Sequence, residues 1–297
     1  MDRLDAMATF VAVLDEGGFS AASRRLGMPL ATVSRKVAEL EEHLGASLLT
    51  RTTRHVAATE AGQAFAATAR RLLEELGEAE RLAAGEYNTP RGLLVVAAPV
   101  LLGRVHLLPI LSGFLDAFPE VKLDLRLTQS NLNLIEEQLD VAVTIGPTAD
   151  SGLRVVNVGR LRPVVVASPD YLARHGEPAT IAALEGHQII SFAGQVTPIA
   201  WAFMGERRIS LRPRVIVTTA EAAVDAAIAG MGVAHLLCHQ VSVPVAEGRL
   251  ATLLRQDWGE ALPVQLVFAA GRAPPAKLRA FLDYVVPRLR PRLVFSP

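Results

Sequence analysis

The sequence is poor in the residues that build disulfides, thiolate metal sites and membrane spans. Its single cysteine, Cys238, excludes an internal disulfide and any metal site made of several thiolates. Its longest apolar stretch, from Leu93 to Leu102, is about ten residues long and contains Pro99, whereas a membrane-spanning helix needs ~20 residues. The opening segment, Met1 to Asp5, lacks the basic, apolar and small-residue order of a secretory signal. We therefore expect a cytoplasmic protein that does not act on a membrane.

A net charge of one sign is also absent, because 30 lysine and arginine residues balance 30 aspartate and glutamate residues. The charges are nevertheless unevenly placed near the N-terminus, where residues 1–19 sum to −3 and residues 20–58 sum to +3. Such a reversal within a short segment predicts a polarised surface whose basic side is available to phosphates. The length of 297 residues and the 51% hydrophobic content predict two or three domains with large cores.

The first 58 residues have the spacing of three short helices followed by a hairpin. After a first amphipathic helix, Ser20 is expected to cap a second helix over Ala21–Leu26. A tight turn then leads to a third helix, predicted from Ala31 to about Leu44. The β-prone, basic segment Leu48–Val56 predicts a two-stranded wing. This order predicts a winged helix-turn-helix whose third helix enters the DNA major groove.

The outward face of the predicted third helix is small or basic, as close approach to DNA requires. The wing adds arginines that are expected to reach the DNA backbone or minor groove. The candidate DNA contacts on the helix and the wing are Thr32, Ser34, Arg35, Lys36, Arg51 and Arg54. A three-helix protein-interaction module with a solvated basic face is the alternative interpretation.

A long helix is predicted from a cap at Thr59 to about Glu86. Its apolar residues recur at intervals of 4, 3, 4, 3 and 4, which is typical of a coiled-coil seam. The seam residues are Phe65, Ala69, Leu72, Leu76, Ala79 and Ala83. A helix packed on its own domain is the alternative, because Leu73 and Leu82 add apolar positions outside the seam. Tyr87–Gly92 then breaks the helix and marks a domain boundary.

After residue 92 the pattern changes to apolar strands that alternate with helices. The predicted strands are Leu93–Ala98, Val121–Leu127, Val141–Ile145, Pro163–Ala167, Ile189–Phe192, Val215–Thr218, Val233–Leu237 and Val264–Ala269. The predicted helices are Leu107–Phe118, Ala220–Ala229 and Lys277–Leu289. Near-continuous apolar strands are typical of buried parallel sheets, so the predicted class is α/β with doubly wound sheets.

Motifs at both ends of the chain resemble those of LysR-type transcriptional regulators. The N-terminal match is ungapped over about sixty residues and includes Phe19–Leu26, Thr32–Gly45, Leu48–Arg51 and Thr59–Gly62. The resemblance implies DNA contacts by Ser20, Leu30, Thr32, Ser34, Arg35, Arg51 and Arg54. Leu30 stands where many relatives carry a polar residue. The resemblance also implies that the linker helices pair between subunits, which predicts a homodimer on a palindromic promoter site and, further, a tetramer.

The C-terminal motifs resemble the effector domain of the same family, which has a fold similar to periplasmic solute-binding proteins. These motifs are Leu108–Val121, Gln138–Val143, Ala167–Leu172, Ala229–Ala234 and Gly248–Leu250. The resemblance implies two lobes, with chain crossings near Gly159–Pro163 and Val264–Phe268 and a ligand cleft between them. By position the cleft residues are Pro99, Val100, Leu101, Gln129, Ser130, Thr218 and Thr219. The apolar lip Pro99–Leu102 argues against a carboxylate effector and permits an apolar or aromatic one.

The sequence therefore predicts a DNA-binding domain (1–58), a dimerising helix (59–89) and an effector domain (90–297). Within the effector domain, lobe I is expected at about 90–161 and 267–297 and lobe II at about 162–266. The predicted function is a sequence-specific, effector-controlled transcription regulator, with DNA, a small molecule, itself and RNA polymerase as candidate partners. The alternatives are an enzyme or a solute-binding domain fused to a DNA-binding module.

The sequence offers little for catalysis or metal binding, so no cofactor is predicted and the chain is not expected to be an enzyme. It contains no nucleophile elbow and no phosphate-binding glycine loop. His235, Cys238 and His239 would share a helix face, but they follow a predicted strand, along which neighbouring side chains diverge. We therefore expect structural roles for these three residues.

Overall fold

The computed structural model describes residues 2–51, 56–83, 89–128, 134, 136–148, 152–192, 199–270 and 274–293. The chain forms two compact units, Met1–Thr89 and Pro90–Pro297. The predicted wing contact Arg54 and the predicted cleft residues Gln129 and Ser130 lie outside the described residues.

The described residues of the N-terminal unit form four helices and one pair of antiparallel strands. Its elements, in chain order, are α1 (Arg3–Asp15), α2 (Phe19–Leu26), α3 (Leu30–Leu44), β1 (Leu49–Arg51), β2 (Val56–Ala58) and α4 (Glu60–Ala83). The helix-turn-helix and the antiparallel β1–β2 wing confirm the predicted order. Gly27 and Gly45 end α2 and α3 in the left-handed conformation, which a residue without a Cβ adopts at little cost.

The predicted N-cap at Ser20 is wrong. Helix α2 begins earlier, at Phe19, and its N-cap is Gly18, which has no side chain to offer. Phe19 packs against the core of the unit, and this contact holds the start of the helix in place of a polar cap. Ser20 therefore lies in the first turn of α2, where its side chain is exposed.

The core of the N-terminal unit lies between α1, α3 and the start of α4. Phe10, Val33 and Val37 are fully buried, and the ring of Phe10 lies 5.8 Å from the ring of Phe65 between centroids. One face of α3 is thereby committed to the core, so only its opposite face is left for a partner.

Helix α4 begins as predicted, with Thr59 as a polar cap whose Oγ1 accepts a hydrogen bond from the Gly62 amide at 2.9 Å. The first two predicted seam residues, however, serve their own domain. Phe65 packs against the core and Ala69 is buried. The structure thus contradicts an intersubunit role for these two residues, because the core of their own subunit already occupies that side of the helix.

The C-terminal unit contains two five-stranded sheets, each flanked by helices. Its first elements are β3 (Gly92–Pro99), α5 (Val100–Leu102), a π-helical turn (Gly103–Leu107), α6 (Leu108–Ala117), β4 (Val121–Thr128), β5 (Val141–Ile145), β6 (Leu153–Leu161), β7 (Pro163–Ala167) and α7 (Pro169–His175). They are followed by β8 (Ile189–Phe192), β9 (Ile199–Ala202), β10 (Arg208–Leu211), β11 (Pro213–Val217), α8 (Ala220–Ile228), β12 (Val233–Leu237), α9 (Cys238–Ala246), β13 (Ala251–Leu253), β14 (Leu262–Ala269) and α10 (Ala276–Leu289). The predicted α/β class is confirmed.

The two sheets define two lobes. The sheet of lobe I has the order β4-β3-β5-β14-β6, and the sheet of lobe II has the order β11-β8-β12-β7-β13. Both sheets are mixed. In lobe I, β3 runs parallel to β4 and β5, while β14 runs antiparallel to β5 and β6. In lobe II, β12 runs parallel to β8 and antiparallel to β7.

The first crossing between lobes lies at Arg162, between β6 and β7, within the predicted range. The second predicted crossing, near Val264–Phe268, is wrong. Strand β14 pairs with β6 from Leu262 to Ala269, so its whole length belongs to lobe I. The chain therefore returns from lobe II between β13 and β14, within 254–261, and lobe I resumes at about residue 262.

The helical stretch Val100–Ala117 has 18 residues and a mean hydropathy of 1.4, so by length and composition alone it could cross a membrane. The longest apolar run of the sequence ends at Leu102, whereas this helix continues through the basic side chains of Arg104 and His106. Its residues Leu102, Leu107, Leu111 and Phe114 are buried in the core of lobe I. Core helices of globular domains have similar length and composition, and this stretch packs as one of them.

Candidate nucleic-acid interface and ligand cleft

The face of α3 opposite the core is exposed and has a low profile. Ala31, Arg35 and Ala38 are exposed along it, with Ser34 half-buried between them. Leu30 opens the helix with 48% of its surface exposed, although it is a large apolar residue. Small side chains let a helix approach base edges closely, so this face has the shape that the major groove admits.

Arg35 is the exposed cation of this face. Its guanidinium lies 2.7 Å from the Glu39 carboxylate one turn later, and its side chain is 64% exposed. Exposed pairs at this spacing contribute only about 0.3–0.5 kcal/mol. The guanidinium is therefore held close to the helix but is free to exchange Glu39 for a phosphate.

Lys36, by contrast, is engaged within the domain. Its ammonium pairs with Asp5 of α1 and lies 3.5 Å from Met28 Sδ in the turn, and its side chain is only 18% exposed. The predicted DNA contact of Lys36 would therefore require this pair to break, because α1 packs beside α3 and places a carboxylate on that side of the helix.

Helix α2 and the wing supply further polar groups around this face. Arg25 pairs with Glu16 at 3.1 Å. Arg24 is exposed and makes no ion pair within the described part of the chain, which makes it an available cation that sequence reasoning did not single out. For Arg51 the structure describes only its place in β1. The base of the wing is fixed by Glu41, whose Oε1 accepts hydrogen bonds from the Leu48 and Leu49 amides at 2.7 and 3.0 Å.

The C-terminal unit contains a cavity of about 550 Å³ between its two lobes. Lobe I contributes the lining residues Ala97–Leu102, Thr128, Leu134, Ala142–Thr148, Leu153 and Val267. Lobe II contributes Phe192, Ala220, Glu221, Leu237, His239 and Gln240. This volume is that of a site for a small organic molecule.

Three of the predicted cleft residues, Pro99, Val100 and Leu101, line this cavity. Thr218 and Thr219 do not. Thr219 instead caps α8, its Oγ1 accepting from the Ala222 amide at 3.2 Å, and the chain reaches the cavity only with the following two residues. Sequence reasoning missed Thr144, Thr148 and Glu221, which come from separate elements that only the fold brings together.

The histidines near the cavity are buried in their neutral form. Burial lowers the pKa of His239 to about 3. Burial, and to a lesser degree the charge of Arg292, lowers the pKa of His106. Their rings lie 5.8 Å apart between centroids, one from each lobe. They therefore add neutral groups rather than positive charge to this region at neutral pH.

The triplet considered for metal binding does not converge. His235 lies in β12, with its ring 5.1 Å from that of Trp201, whereas His239 faces His106 from α9. The thiol of Cys238 accepts a hydrogen bond from the Arg162 amide at 3.4 Å, and burial raises its pKa. Within the described ranges, no three histidine, cysteine or acidic residues are grouped as metal ligands.

Comparison with known proteins finds one family model for the N-terminal part of the chain and another for the C-terminal part. The family model for bacterial regulatory helix-turn-helix proteins of the lysR family matches residues 4–63. The model for the LysR substrate binding domain matches residues 88–290.

Relatives resemble the chain over nearly its whole length. The HTH-type transcriptional regulator CrgA of Neisseria meningitidis is 35% identical over 96% of this chain and 96% of its own. An HTH-type transcriptional regulator of Xanthomonas campestris is 35% identical over 94% of this chain and 83% of its own. The solved structure of CrgA has a TM-score of 0.62 at 33% identity, covering 96% of this chain and 98% of its own. These relatives are named as regulators and not as enzymes or solute carriers, and the chain belongs to the LysR family of bacterial helix-turn-helix transcription regulators.

Proposed function

We propose that α3 reads a promoter site in the major groove and that a small molecule in the cleft between the lobes controls this binding. The observation that carries the proposal is the division of α3 into two faces. Val33, Val37 and Leu40 form the core, while the face around Ser34 and Arg35 is exposed and narrow. The proposal divides the chain into a DNA-binding domain (1–58), a pairing helix (59–89) and an effector domain (90–297).

The proposed DNA-contact residues have distinct roles. Arg35 neutralises a phosphate or donates to a guanine edge, and Thr32 and Ser34 supply hydroxyl groups for hydrogen bonds. Leu30 offers an apolar contact, which suits the methyl group of a thymine. Ser20 lies in the first turn of α2, where backbone amides also favour a phosphate. Arg51 and Arg54 are assigned to the DNA backbone from their place in the wing sequence.

Pairing of α4 with a second copy would place two reading helices on one site. Leu72 is 40% exposed and Leu76 is half-buried, so we place the start of the pairing surface at Leu72. Ala79 and Ala83 are assigned to this surface from the heptad spacing of the sequence alone. Two-fold pairing predicts a palindromic operator with half-sites about 34 Å apart. The proposal includes a cytoplasmic location, assembly of two dimers into a tetramer, and contact with RNA polymerase.

The test measures DNA binding by fluorescence anisotropy at a series of salt concentrations. The probe is the DNA that flanks the protein's own gene. We expect tight binding that competitor DNA of random sequence does not abolish. Arg35→Ala should weaken binding and reduce the slope of log K against log salt by about 0.9, as the loss of one phosphate contact requires. Arg249→Ala, which removes an exposed arginine of lobe II paired with Glu247, is the matched control and should leave the slope unchanged.

Binding that random-sequence DNA abolishes would contradict a sequence-specific regulator. An unchanged slope in Arg35→Ala, with the fold intact by circular dichroism, would contradict the phosphate role of Arg35.

A further inference from the structure

The cleft between the lobes is apolar with one negative charge. Glu221 is the only residue with a formal charge among the described residues that line it. His239, which also lines the cavity, is neutral at physiological pH because burial lowers its pKa to about 3. Charge complementarity therefore disfavours a carboxylate or phosphate in this cavity.

Among the described residues of the lining, two side-chain oxygen atoms are shielded from solvent and have no hydrogen-bond partner. They are Glu221 Oε1 and Thr144 Oγ1. Two other polar side chains of the same lining have partners within the protein. Thr148 Oγ1 donates to Gln265 at 2.8 Å, and Gln240 Oε1 accepts from the Leu237 amide at 2.8 Å. Because unpaired buried polar groups are costly, the two unsatisfied atoms call for a partner supplied from outside the chain.

Glu221 also compensates the partial positive charge at the start of α8, which would otherwise attract an anion. Helix α8 begins at Ala220, and its amide end carries partial positive charge toward the cleft. Glu221 stands in the first turn of this helix, where its carboxylate compensates that charge. The helix start is thus occupied by the protein's own anion, and the field that remains favours a cation.

The two atoms belong to different lobes, since Thr144 lies in β5 of lobe I and Glu221 in α8 of lobe II. A ligand that meets both would bridge the lobes. The remaining wall is the apolar lip Pro99–Leu102 together with Phe192, which suits a hydrocarbon or aromatic body.

We propose that the cleft binds a small amine with an apolar body, protonated at neutral pH. Its N–H groups donate to the Glu221 carboxylate and the Thr144 hydroxyl, and its apolar body packs on the lip. This inference rests on the proposed function in one respect, that the cleft is the effector site, and it assigns the chemical class of the effector.

The test uses three probes that share one phenyl ring and differ in their polar group: benzylamine, benzyl alcohol and benzoate. Binding to the full chain is followed by ligand-observed NMR and by the shift in melting temperature. Dissociation constants of about 1–10 mM are expected for molecules this small. We expect benzylamine to bind at least about tenfold more tightly than benzoate, with benzyl alcohol between them.

Variants assign the preference to the two atoms. Glu221→Gln should remove the preference of benzylamine over benzyl alcohol, and Thr144→Val should weaken both probes without reversing their order. Glu247→Gln removes an exposed carboxylate of the same lobe that pairs with Arg249, and it should leave all three affinities unchanged. Benzoate binding as tightly as benzylamine, absence of benzylamine binding, or an unaltered preference in Glu221→Gln would each overturn the proposal.

The same preparations are tested for anisotropy on the flanking DNA, so that the two proposals fail separately. Sequence-specific DNA binding together with a cleft that prefers benzoate overturns only the amine assignment. Loss of sequence-specific DNA binding in the wild-type chain overturns the regulatory function, whatever the probes do.

Discussion

Trp201 and His235 lie with their rings 5.1 Å apart between centroids, joining the β9–β10 hairpin of lobe II to strand β12. Phe203 stacks on the same imidazole at 5.7 Å, with the two planes inclined by 19°. These aromatic neighbours bury most of the imidazole, and burial lowers the pKa of His235 from 6.5 to about 4. The imidazole is thus neutral in the folded lobe over the physiological pH range.

The pH dependence of lobe II stability follows from this lowered pKa. The unfolded chain takes up a proton at His235 near pH 6.5, whereas the folded chain resists protonation until about pH 4. The stabilisation is therefore fully present above pH 6.5 and is lost as the pH falls from 6.5 toward 4. We expect the free energy of unfolding to fall by about 2 kcal/mol from this group at pH ~5.

Urea unfolding followed by tryptophan fluorescence measures this effect, because both tryptophans, Trp201 and Trp258, lie in lobe II. His235→Phe keeps the aromatic packing and should be less sensitive to acid than the wild type by the same amount. His43→Gln, which changes an exposed histidine of α3, is the control. Parallel curves for His235→Phe and the wild type between pH 7.5 and pH ~5 would contradict the prediction.

Glu41 is expected to determine the stability of the wing. Its carboxylate accepts both the Leu48 and Leu49 amides, so Glu41→Ala leaves two donors without their charged partner. We predict a loss of about 1.5–3 kcal/mol in the N-terminal unit and weaker DNA binding. Chemical denaturation and anisotropy measure the two effects. Glu42→Ala, at the exposed neighbouring position, should change neither by more than about 0.5 kcal/mol, and equal losses in both variants would exclude the specific role of Glu41.

The elements that were predicted correctly from the sequence are buried strands with a continuous run of apolar residues. The run Val141–Ile145 and the run Pro163–Ala167 were predicted to the residue because both are central strands with mostly buried side chains. Strand β6 was missed, because Leu153–Leu161 lies at a sheet edge and mixes exposed polar residues into its run. The short β13 was missed because three residues carry no periodicity.

For the candidate sites, too, local sequence patterns predicted some features, and others depend on tertiary contacts. The outward face of α3 follows from helical periodicity, but periodicity also turned Lys36 outward, and only the packing of α1 shows that Asp5 engages it. The apolar lip at Pro99–Leu101 was found because it follows a strand directly. The placement of Thr144 and Glu221 in the lining of one cavity had no signal in the sequence, because the two residues lie in different lobes that only the fold brings together.

Gly62 is predicted to be required where the wing meets α4. A Cβ added at this position would lie 1.9 Å from the Leu48 carbonyl oxygen, which belongs to the backbone. Gly62→Ala should therefore destabilise the N-terminal unit by about 1–3 kcal/mol, although alanine gains about 1 kcal/mol in an unhindered helix. Gln63→Ala, at the exposed next residue, is the matched control for helix propensity. Thermal denaturation measures the effect as a fall in melting temperature. An increase in melting temperature for Gly62→Ala would contradict the prediction and show that the contact can relax.

Substitutions of the adjacent residues Lys36 and Arg35 are expected to have different effects. Loss of Lys36 should lower stability, whereas loss of Arg35 should lower the salt slope of DNA binding. Lys36→Met removes the pair with Asp5 but keeps the stem that packs near Met28, so we predict a loss of about 1 kcal/mol in stability. The salt slope of DNA binding should not change, because the ammonium does not reach solvent freely. Denaturation and salt titration of the same protein separate the two effects. A salt slope reduced by about 0.9 would return Lys36 to the DNA contacts.

The linker helix is predicted to have two functions along its length, and two substitutions separate them. Phe65 belongs to the core that surrounds Phe10, so Phe65→Ala should destabilise the N-terminal unit by about 3 kcal/mol and leave the association of subunits intact in the folded fraction.

Leu72 is exposed on the same helix, so Leu72→Glu should leave the unfolding of the unit unchanged, because no core contact is lost. If α4 pairs between copies from Leu72 onward, this charge shifts the dimer toward monomer, and sedimentation velocity at matched concentrations measures the shift. Because monomers contact only one half-site at a time, DNA affinity should fall with the dimer fraction. A Leu72→Glu protein that remains dimeric would locate the pairing surface elsewhere on the chain.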